Sequence, residues 1–251
     1  MKILILAAGK GTRLKELTRD NPKCLVKLDG KSIIQYQLDI FKNFNVEDIV
    51  LIAGYKSEKL EFLSKKIILN KKYDITNMLY SLFCAIDEIK GDVLISYGDS
   101  VFDNSIIEKM INCDSDISVA SDANWRNYWD SRYINPLTDL ETYKTNKEGY
   151  ITNIGEKPES YSQIDGQYIG LIKLTSIGSE IFKKELIHFH KKGLINKKSF
   201  NDAFLTDFVQ ALILRGYKIK SQEIFGNYIE IDTIDDIESP ITQKRINSFK
   251  K

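Results

Sequence analysis

The sequence predicts an α/β fold: a doubly wound, mostly parallel (mixed) sheet with a smaller antiparallel section. Three observations carry that expectation. Apolar β-type runs stop at glycine or aspartate turns, helical stripes fill the intervals between them, and the first run feeds straight into a glycine-rich loop. Continuous apolar strands need cover on both faces, which is the environment of a parallel sheet flanked by helices.

Taken in order, Lys2 to Leu6 is the first strand and ends at Ala7-Ala8-Gly9. Ser32 to Phe44 places apolar residues at Ile33, Ile34, Tyr36, Leu38, Ile40 and Phe41, a helical stripe, and Ile49 to Ala53 is the second strand, stopping at Gly54-Tyr55. A helix is expected over Asn77 to Ile89 with Thr76 as its cap, then a strand over Asp92 to Tyr97 ending at Gly98-Asp99, a short helix over Ile106 to Ile111 and a strand over Ile117 to Ala120. In sheets of this kind ligands sit beyond the carboxyl ends of the strands, so the turns at Gly9, Gly54 and Asp99 should open on one edge. From Trp125 to Gly170 aromatics, charges and short strands (Gly149 to Ile154, Tyr168 to Leu174) suggest the antiparallel section. Beyond Ser176 a helix over Ala203 to Arg215 precedes strands near Lys218 to Glu223 and at Tyr228 to Ile231.

The chain has 251 residues, 43% hydrophobic and 28% charged, with a formal net charge of +1. That balance argues for a small ligand rather than nucleic acid or an anionic membrane. No stretch approaches the roughly 20 apolar residues of a membrane span. The apolar start is too short for a signal peptide, and Cys24, Cys84 and Cys113 fit neither a disulfide framework nor a zinc spacing; a cytoplasmic protein with free thiols is expected. His188 and His190 share no helix face and complete no metal set. Trp125, Tyr128 and Trp129 are either an aromatic box for a quaternary ammonium or ordinary helix packing.

The strongest signal is Leu6-Ala7-Ala8-Gly9-Lys10-Gly11-Thr12-Arg13-Leu14. After a strand, small residues let backbone N–H groups approach a phosphate chain, and Arg13 supplies a charged fork. Lys23, in Asn21-Pro22-Lys23, is a second cation able to converge there. This string is neither the dinucleotide nor the P-loop fingerprint. It resembles the L-A-A-G-x-G-T-R-[LM] signature, followed by P-K, of the sugar-1-phosphate and phosphocholine type nucleotidyltransferases, whose body is a GT-A-like sheet. The resemblance implies that the loop holds NTP phosphates while Arg13 and Lys23 steady the leaving pyrophosphate.

Further landmarks follow from the same resemblance. Tyr97-Gly98-Asp99 looks like the family's metal-binding aspartate, and Glu230-Ile231-Asp232 like its late E-[IV]-[DN] element; strand spacing puts Glu230 and Asp232 on one face. Mg²⁺ favours such hard oxygen ligands beside phosphates. The alternatives are that Asp99 caps the helix following it and that Asp232 caps a helix containing Asp235 and Asp236. Thr76-Asn77-Met78 resembles the base-side segment of choline-phosphate and phosphonate cytidylyltransferases, with Gly54, Tyr55 and Tyr97 near the same pocket. Arg126, Arg132 and Lys157 are candidate cations for an anionic acceptor, Lys157 through a match to the family's E-K element. Tyr168 and Gly170 match a strand near the acceptor, and Asp207 a frequent position beside it.

The implied protein is one nucleotidyltransferase domain over 1–251: a nucleotide-binding part to about 122, an acceptor-binding insertion over about 123–175, and a C-terminal part completing the metal site. The expected reaction is Mg²⁺-dependent transfer of CMP from CTP to a small phosphate or phosphonate, for surface polysaccharide or lipid decoration. A monomer or homodimer is expected. A hexose-1-phosphate uridylyl- or thymidylyltransferase is the alternative enzyme, and a non-catalytic nucleotide-binding subunit the alternative of another class.

Overall fold

A computed structural model describes residues 1–249. Its centre is a seven-stranded sheet built from β1 (Lys2–Ala7), β2 (Ile49–Ala53), β3 (Lys66–Leu69), β4 (Val93–Tyr97), β5 (Ile117–Asp122), β6 (Gln167–Leu174) and β7 (Lys220–Ile224). Their spatial order is β7-β5-β6-β4-β1-β2-β3. Every pairing is parallel except the two made by β6, which runs against β4 and β5. The mixed, mostly parallel sheet agrees with the sequence expectation.

Alternate residues of the strands feed two cores. Leu4, Val50, Ile52 and Ile95 pack with helices α2 (Met78–Cys84), α5 (Ser176–Lys192) and α6 (Leu205–Leu214). Ile3, Ile5, Leu51 and Leu94 pack with α1 (Ile33–Asn43), α3 (Asn104–Ile111) and α4 (Trp125–Arg132) on the other face. This is the double winding that buries a parallel sheet on both sides. Two final helices, α7 (Ile234–Glu238) and α8 (Pro240–Phe249), close a smaller core around Leu14, Val26, Ile229 and Ile231. No helix among the described residues is long and apolar enough to cross a membrane.

Several boundaries differ from the sequence expectation. The strand containing Tyr168 lies inside the main sheet between β4 and β5, so it is not part of an inserted section. Between Trp125 and Gly170 the antiparallel element outside the main sheet is the ribbon of Tyr143–Thr145 with Ile151–Ile154. Trp125 to Arg132 is helical. The helix expected over Asn77 to Ile89 stops at Cys84 and continues as a short 3-10 turn over Ile86–Glu88; its cap is Asn77, whose side chain accepts the Met78 N–H, rather than Thr76. Helix α3 begins earlier than expected, at Asn104, because Asp103 caps it through the Ser105 N–H. The strand expected at Tyr228 to Ile231 is Tyr228–Glu230, and it pairs not with the main sheet but with Ser100–Phe102.

Candidate active site

The carboxyl ends of β1 and β4 lie side by side, with Leu6 in register with Tyr97. The loop leaving β1 and the turn leaving β4 therefore open on one edge. Gly11 takes a left-handed φ of 65°, and a Cβ there would stand 2.8 Å from the Cβ of Lys23. Glycine is needed for both the backbone angle and the closeness of Lys23. The N–H groups of Gly9, Lys10 and Gly11 make no hydrogen bond among the described residues, which leaves free donors on the loop. Leu6, Ala7, Ala8 and Gly9 line one recess together with Tyr73, Thr76, Asn77, Met78 and Ser81. Gly11, Thr12 and Arg13 line the adjoining cleft of about 470 Å³.

Lys23 sits at the junction of the two. Its Nζ is 2.8 Å from Oδ2 of Asp99 and 2.8 Å from Oδ1 of Asp232. Arg13 reaches the same Oδ1 at 2.8 Å. The convergence of residues so distant in sequence has a local cause. Ser100–Phe102 and Tyr228–Glu230 form an antiparallel ribbon, and the Ile231 N–H donates to the Asp99 carbonyl at 3.1 Å, so the residues flanking the ribbon meet. Neither aspartate is a helix cap: Asp103 caps α3, and Thr233 caps α7 with Asp236 answering from its third position.

The electrostatics follow from this packing. Burial lowers the affinity of Lys23 for its proton, but Asp99 and Asp232 outweigh it and hold the ammonium above the ordinary lysine value. Burial likewise pushes Asp232 up, yet Lys23, Arg13 and Arg132 keep it below the usual carboxylate range. The two carboxylates thus point at one cation. A divalent ion could be held there by Asp99 and Asp232, the hard oxygen donors that Mg²⁺ prefers, with phosphates and water completing its shell. Among the described residues no group of three or more His, Cys, Asp or Glu forms a self-sufficient metal cage.

Glu230 faces the cleft, but its Oε2 accepts from Arg132 at 2.8 Å, and burial raises its pKa despite that partner. Glu230, expected beside Asp232 at the metal, shares the Arg132 guanidinium with Asp232. Arg132, expected at the acceptor, is corrected on this point. Its side chain is 1% exposed and bonds Glu230, Asp232 and Asp236, with Nε 2.8 Å from Asp236 Oδ1, so it braces the acidic loop from behind.

The other acceptor candidates separate. Tyr168 lines the cleft, edge-on to Tyr97 with ring centroids 5.4 Å apart. Gly170, at φ 83°, lets the strand pass the Tyr97 ring, which a Cβ would meet at 2.9 Å; it is a packing glycine. Arg126 is turned outward, with its guanidinium 3.6 Å from the Tyr161 ring centroid. Lys157 is exposed and donates to the Thr138 carbonyl at 2.6 Å. Asp207 accepts from Lys198 and from the Phe204 N–H, closing the first turn of α6. None of these last four lines the cleft. Tyr55 donates to the Arg19 carbonyl and Lys10 stands beside the Tyr73 ring, both on the outer side of the loop; Gly54 backs onto Tyr73.

Of the three aromatic residues weighed as a box, only Trp129 reaches the cleft. Trp125 packs near Tyr161, and Tyr128 is buried against Tyr228. His190 stacks on Phe83, and Cys24, Cys84 and Cys113 are free thiols. Residues that sequence reasoning missed include Tyr73 and Ser81 on the recess, Asp139, Glu141, Gln167 and Thr206 on the cleft, and Gln37 behind it. Only their position on the folded edge reveals them, since no motif marks them.

Residues 3–153 match the MobA-like NTP transferase domain. CTP:phosphoglutamine cytidylyltransferase of Campylobacter jejuni subsp. jejuni serotype O:2 is 39% identical over 96% of this chain and 99% of its own. Among solved structures, CTP:phosphocholine cytidylyltransferase from Streptococcus pneumoniae superposes with a TM-score of 0.71 at 21% identity, over 98% of each chain. The inositol-1-phosphate CTP transferase from T. maritima gives 0.76 at 20% identity, over 100% of this chain and 96% of that one. At these identities the two structures establish the shared fold.

Proposed function

The chain belongs to the MobA-like NTP transferase family, and from that premise we propose that it transfers CMP from CTP to a small phosphorylated acceptor of the phosphoglutamine kind, with release of pyrophosphate. The observation that carries this reading is Lys23 Nζ, 2.8 Å from both Asp99 and Asp232 at the mouth of the glycine loop. Cations, loop donors and paired carboxylates meet where a triphosphate and a divalent ion would lie together. The choice of CTP and of the acceptor class rests on the full-length likeness to the Campylobacter enzyme.

In the reaction an ionised oxygen on the acceptor's phosphoryl group attacks the α-phosphorus of CTP. A new P–O–P bond forms there, the bond from the α-phosphorus to its bridging oxygen breaks, and pyrophosphate departs with the electron pair. The acceptor oxygen is already anionic at neutral pH, so no general base is required. Mg²⁺, when bound at Asp99 and Asp232, would neutralise phosphate charge. The protein's own part is positioning and electrostatics. Arg13 and Lys23 stabilise the departing pyrophosphate, the N–H groups of Gly9 to Gly11 hold the phosphate chain, and the Tyr73, Thr76 and Ser81 recess takes the nucleoside. A role in surface decoration and a cytoplasmic site of action fit this chemistry.

Pyrophosphate release with Mg²⁺, measured across CTP, UTP, dTTP, ATP and GTP against phosphoglutamine, phosphocholine, phosphonates and hexose 1-phosphates, tests the proposal. CTP-dependent turnover with a non-sugar acceptor is expected. Turnover confined to UTP or dTTP with a hexose 1-phosphate would replace it with the sugar-nucleotide alternative.

A further inference from the structure

The cleft is lined by charges of both signs. Arg13 and Lys23 stand at the glycine loop, each paired with Asp232; Asp139, within electrostatic reach of Arg13, and Glu141 line it with the rings of Trp129 and Tyr168. Glu141, just before the Tyr143–Thr145 strand, is tied down at its backbone. The buried amide of Gln167 clamps its backbone, donating to the Glu141 carbonyl at 2.6 Å while its Oε1 accepts the Glu141 N–H at 3.3 Å. The carboxylate itself has one partner, the neutral Thr206 hydroxyl at 3.3 Å. Among the described residues no lysine or arginine makes an ion pair with it; the nearby Lys198 is bound to Asp207. A carboxylate held rigidly in a cleft wall without a counter-ion is costly unless a ligand supplies the positive charge.

We propose that Glu141, seconded by Asp139, is the residue that selects the acceptor, by receiving a protonated primary amine at the end of the acceptor opposite its phosphoryl group. The inference rests on the cytidylyltransferase reading above and narrows its substrate class to zwitterionic phosphorylated amines. A bare sugar or polyol phosphate offers this wall nothing to balance its charge. A quaternary ammonium fits less well: the rings of Tyr97, Trp129, Tyr168 and Phe204 line the cleft, but such a cation has no N–H to donate to Glu141, and Trp125 and Tyr128 are packed away. The Trp129 ring is itself oriented by the bond from its Nε1 to Asp139 Oδ2 at 3.0 Å. A primary amine can donate to Glu141 and lie beside Asp139 and Trp129 while its phosphoryl group points toward Lys23.

The experiment compares phosphoglutamine with the same phosphorylated amide lacking its α-amine, and with phosphocholine, for wild type and Glu141→Gln. Turnover is read as kcat/KM with CTP, and binding of each acceptor is read separately by calorimetry. Wild type should favour the amine over its deaminated counterpart by about 30-fold or more, and Glu141→Gln should compress the ratio to below about threefold, chiefly through KM. Asp139→Asn should compress it less. An unchanged ratio in Glu141→Gln, or equal loss for both acceptors with a shifted Mg²⁺ requirement, would overturn the proposal. Should CTP support no turnover with any acceptor, the functional reading fails on its own, and calorimetry still decides whether Glu141 discriminates the amine.

Discussion

The side-chain amide of Gln37, midway along α1, donates to the carbonyl of Tyr97 across 2.7 Å and to that of Ser100 across 2.6 Å. Its Oε1 accepts from Ser96 at 3.0 Å, and the residue has no solvent exposure. The turn that presents Asp99 is therefore hung from a buried polar group of a helix behind the sheet. Replacing Gln37 by leucine keeps the volume but strands the Ser100 carbonyl, at roughly 1–3 kcal/mol, and leaves the Tyr97 carbonyl only the Ser96 hydroxyl at 3.3 Å. Gln37→Leu should lower stability by about 2–4 kcal/mol, and because displacement of Asp99 disturbs alignment, kcat should fall about tenfold or more. Denaturant unfolding and steady-state kinetics check both; a fall in stability with kcat intact would confine Gln37 to the fold.

Lys23 stands where a divalent ion would share Asp99 and Asp232, so ammonium and metal compete for the same oxygens. In Lys23→Ala the two carboxylates lose their common cation. Mg²⁺ should then raise the Tm of the nucleotide-free variant by more than it raises that of the wild type, although turnover drops on the order of 10²-fold through loss of charge stabilisation. Thermal melts with and without Mg²⁺ read this directly. Equal responses of the two proteins would show that Lys23 and the ion occupy different places.

Arg132 pairs with Glu230, Asp232 and Asp236 at once, and its own side chain is 1% exposed. Removing one partner of a buried charge network leaves uncompensated charge, typically at 3–5 kcal/mol. Arg132→Gln should lose about that much at pH 7. Burial raises the pKa of Asp232 and Asp236, but their cationic partners, Arg132 among them, win and hold both below 3.8. Groups with lowered folded pKa stabilise the native state above the unfolded value and lose that contribution as pH falls through the folded value. The gap between variant and wild type should therefore narrow below about pH 4, which melting curves from pH 7 to pH 3 would reveal; a constant gap would assign the loss to packing.

Much of this layout is legible in the chain. The apolar runs of β1, β2 and β4 and the glycine loop are local features, and local features survive in one dimension. Asp99 and Asp232 were identified from short motifs, but their meeting depends on the ribbon between Ser100–Phe102 and Tyr228–Glu230, whose partners lie more than a hundred residues apart. The misplacements share a cause. Arg132 and Asp207 carry residue types suited to phosphate or acceptor binding, yet each is consumed by neighbours that only the fold supplies: three carboxylates in one case, Lys198 and a helix end in the other. Composition tells what a side chain can bind, whereas packing decides whether it is already bound. Glu141 shows the converse, an unremarked acid in Leu140-Glu141-Thr142 that makes no ion pair among the described residues.

That absence gives Glu141 a thermodynamic signature. Burial pushes its carboxyl from the usual 4.5 to about 7, against the Thr206 hydrogen bond; of the charged groups facing it, Asp207 and Asp139 raise the value further and Lys198 opposes them. A carboxyl with a raised folded pKa costs nothing below the unfolded value, where both states are protonated. It destabilises progressively as pH rises from 4.5 to about 7 and the folded protein must ionise it. Glutamine keeps the shape without the charge, so Glu141→Gln should match wild-type stability near pH 4 and exceed it at pH 8 by up to about 3 kcal/mol. The same ionisation is what an acceptor amine needs, so wild-type KM for phosphoglutamine should fall as pH rises through 7, while the variant's KM stays high and flat in that range. Melting curves and acceptor titrations over pH 5 to 8 test the two halves independently. A variant no more stable than wild type at pH 8 would mean that the carboxylate already has a partner in the free enzyme, and the ammonium subsite would lose its basis.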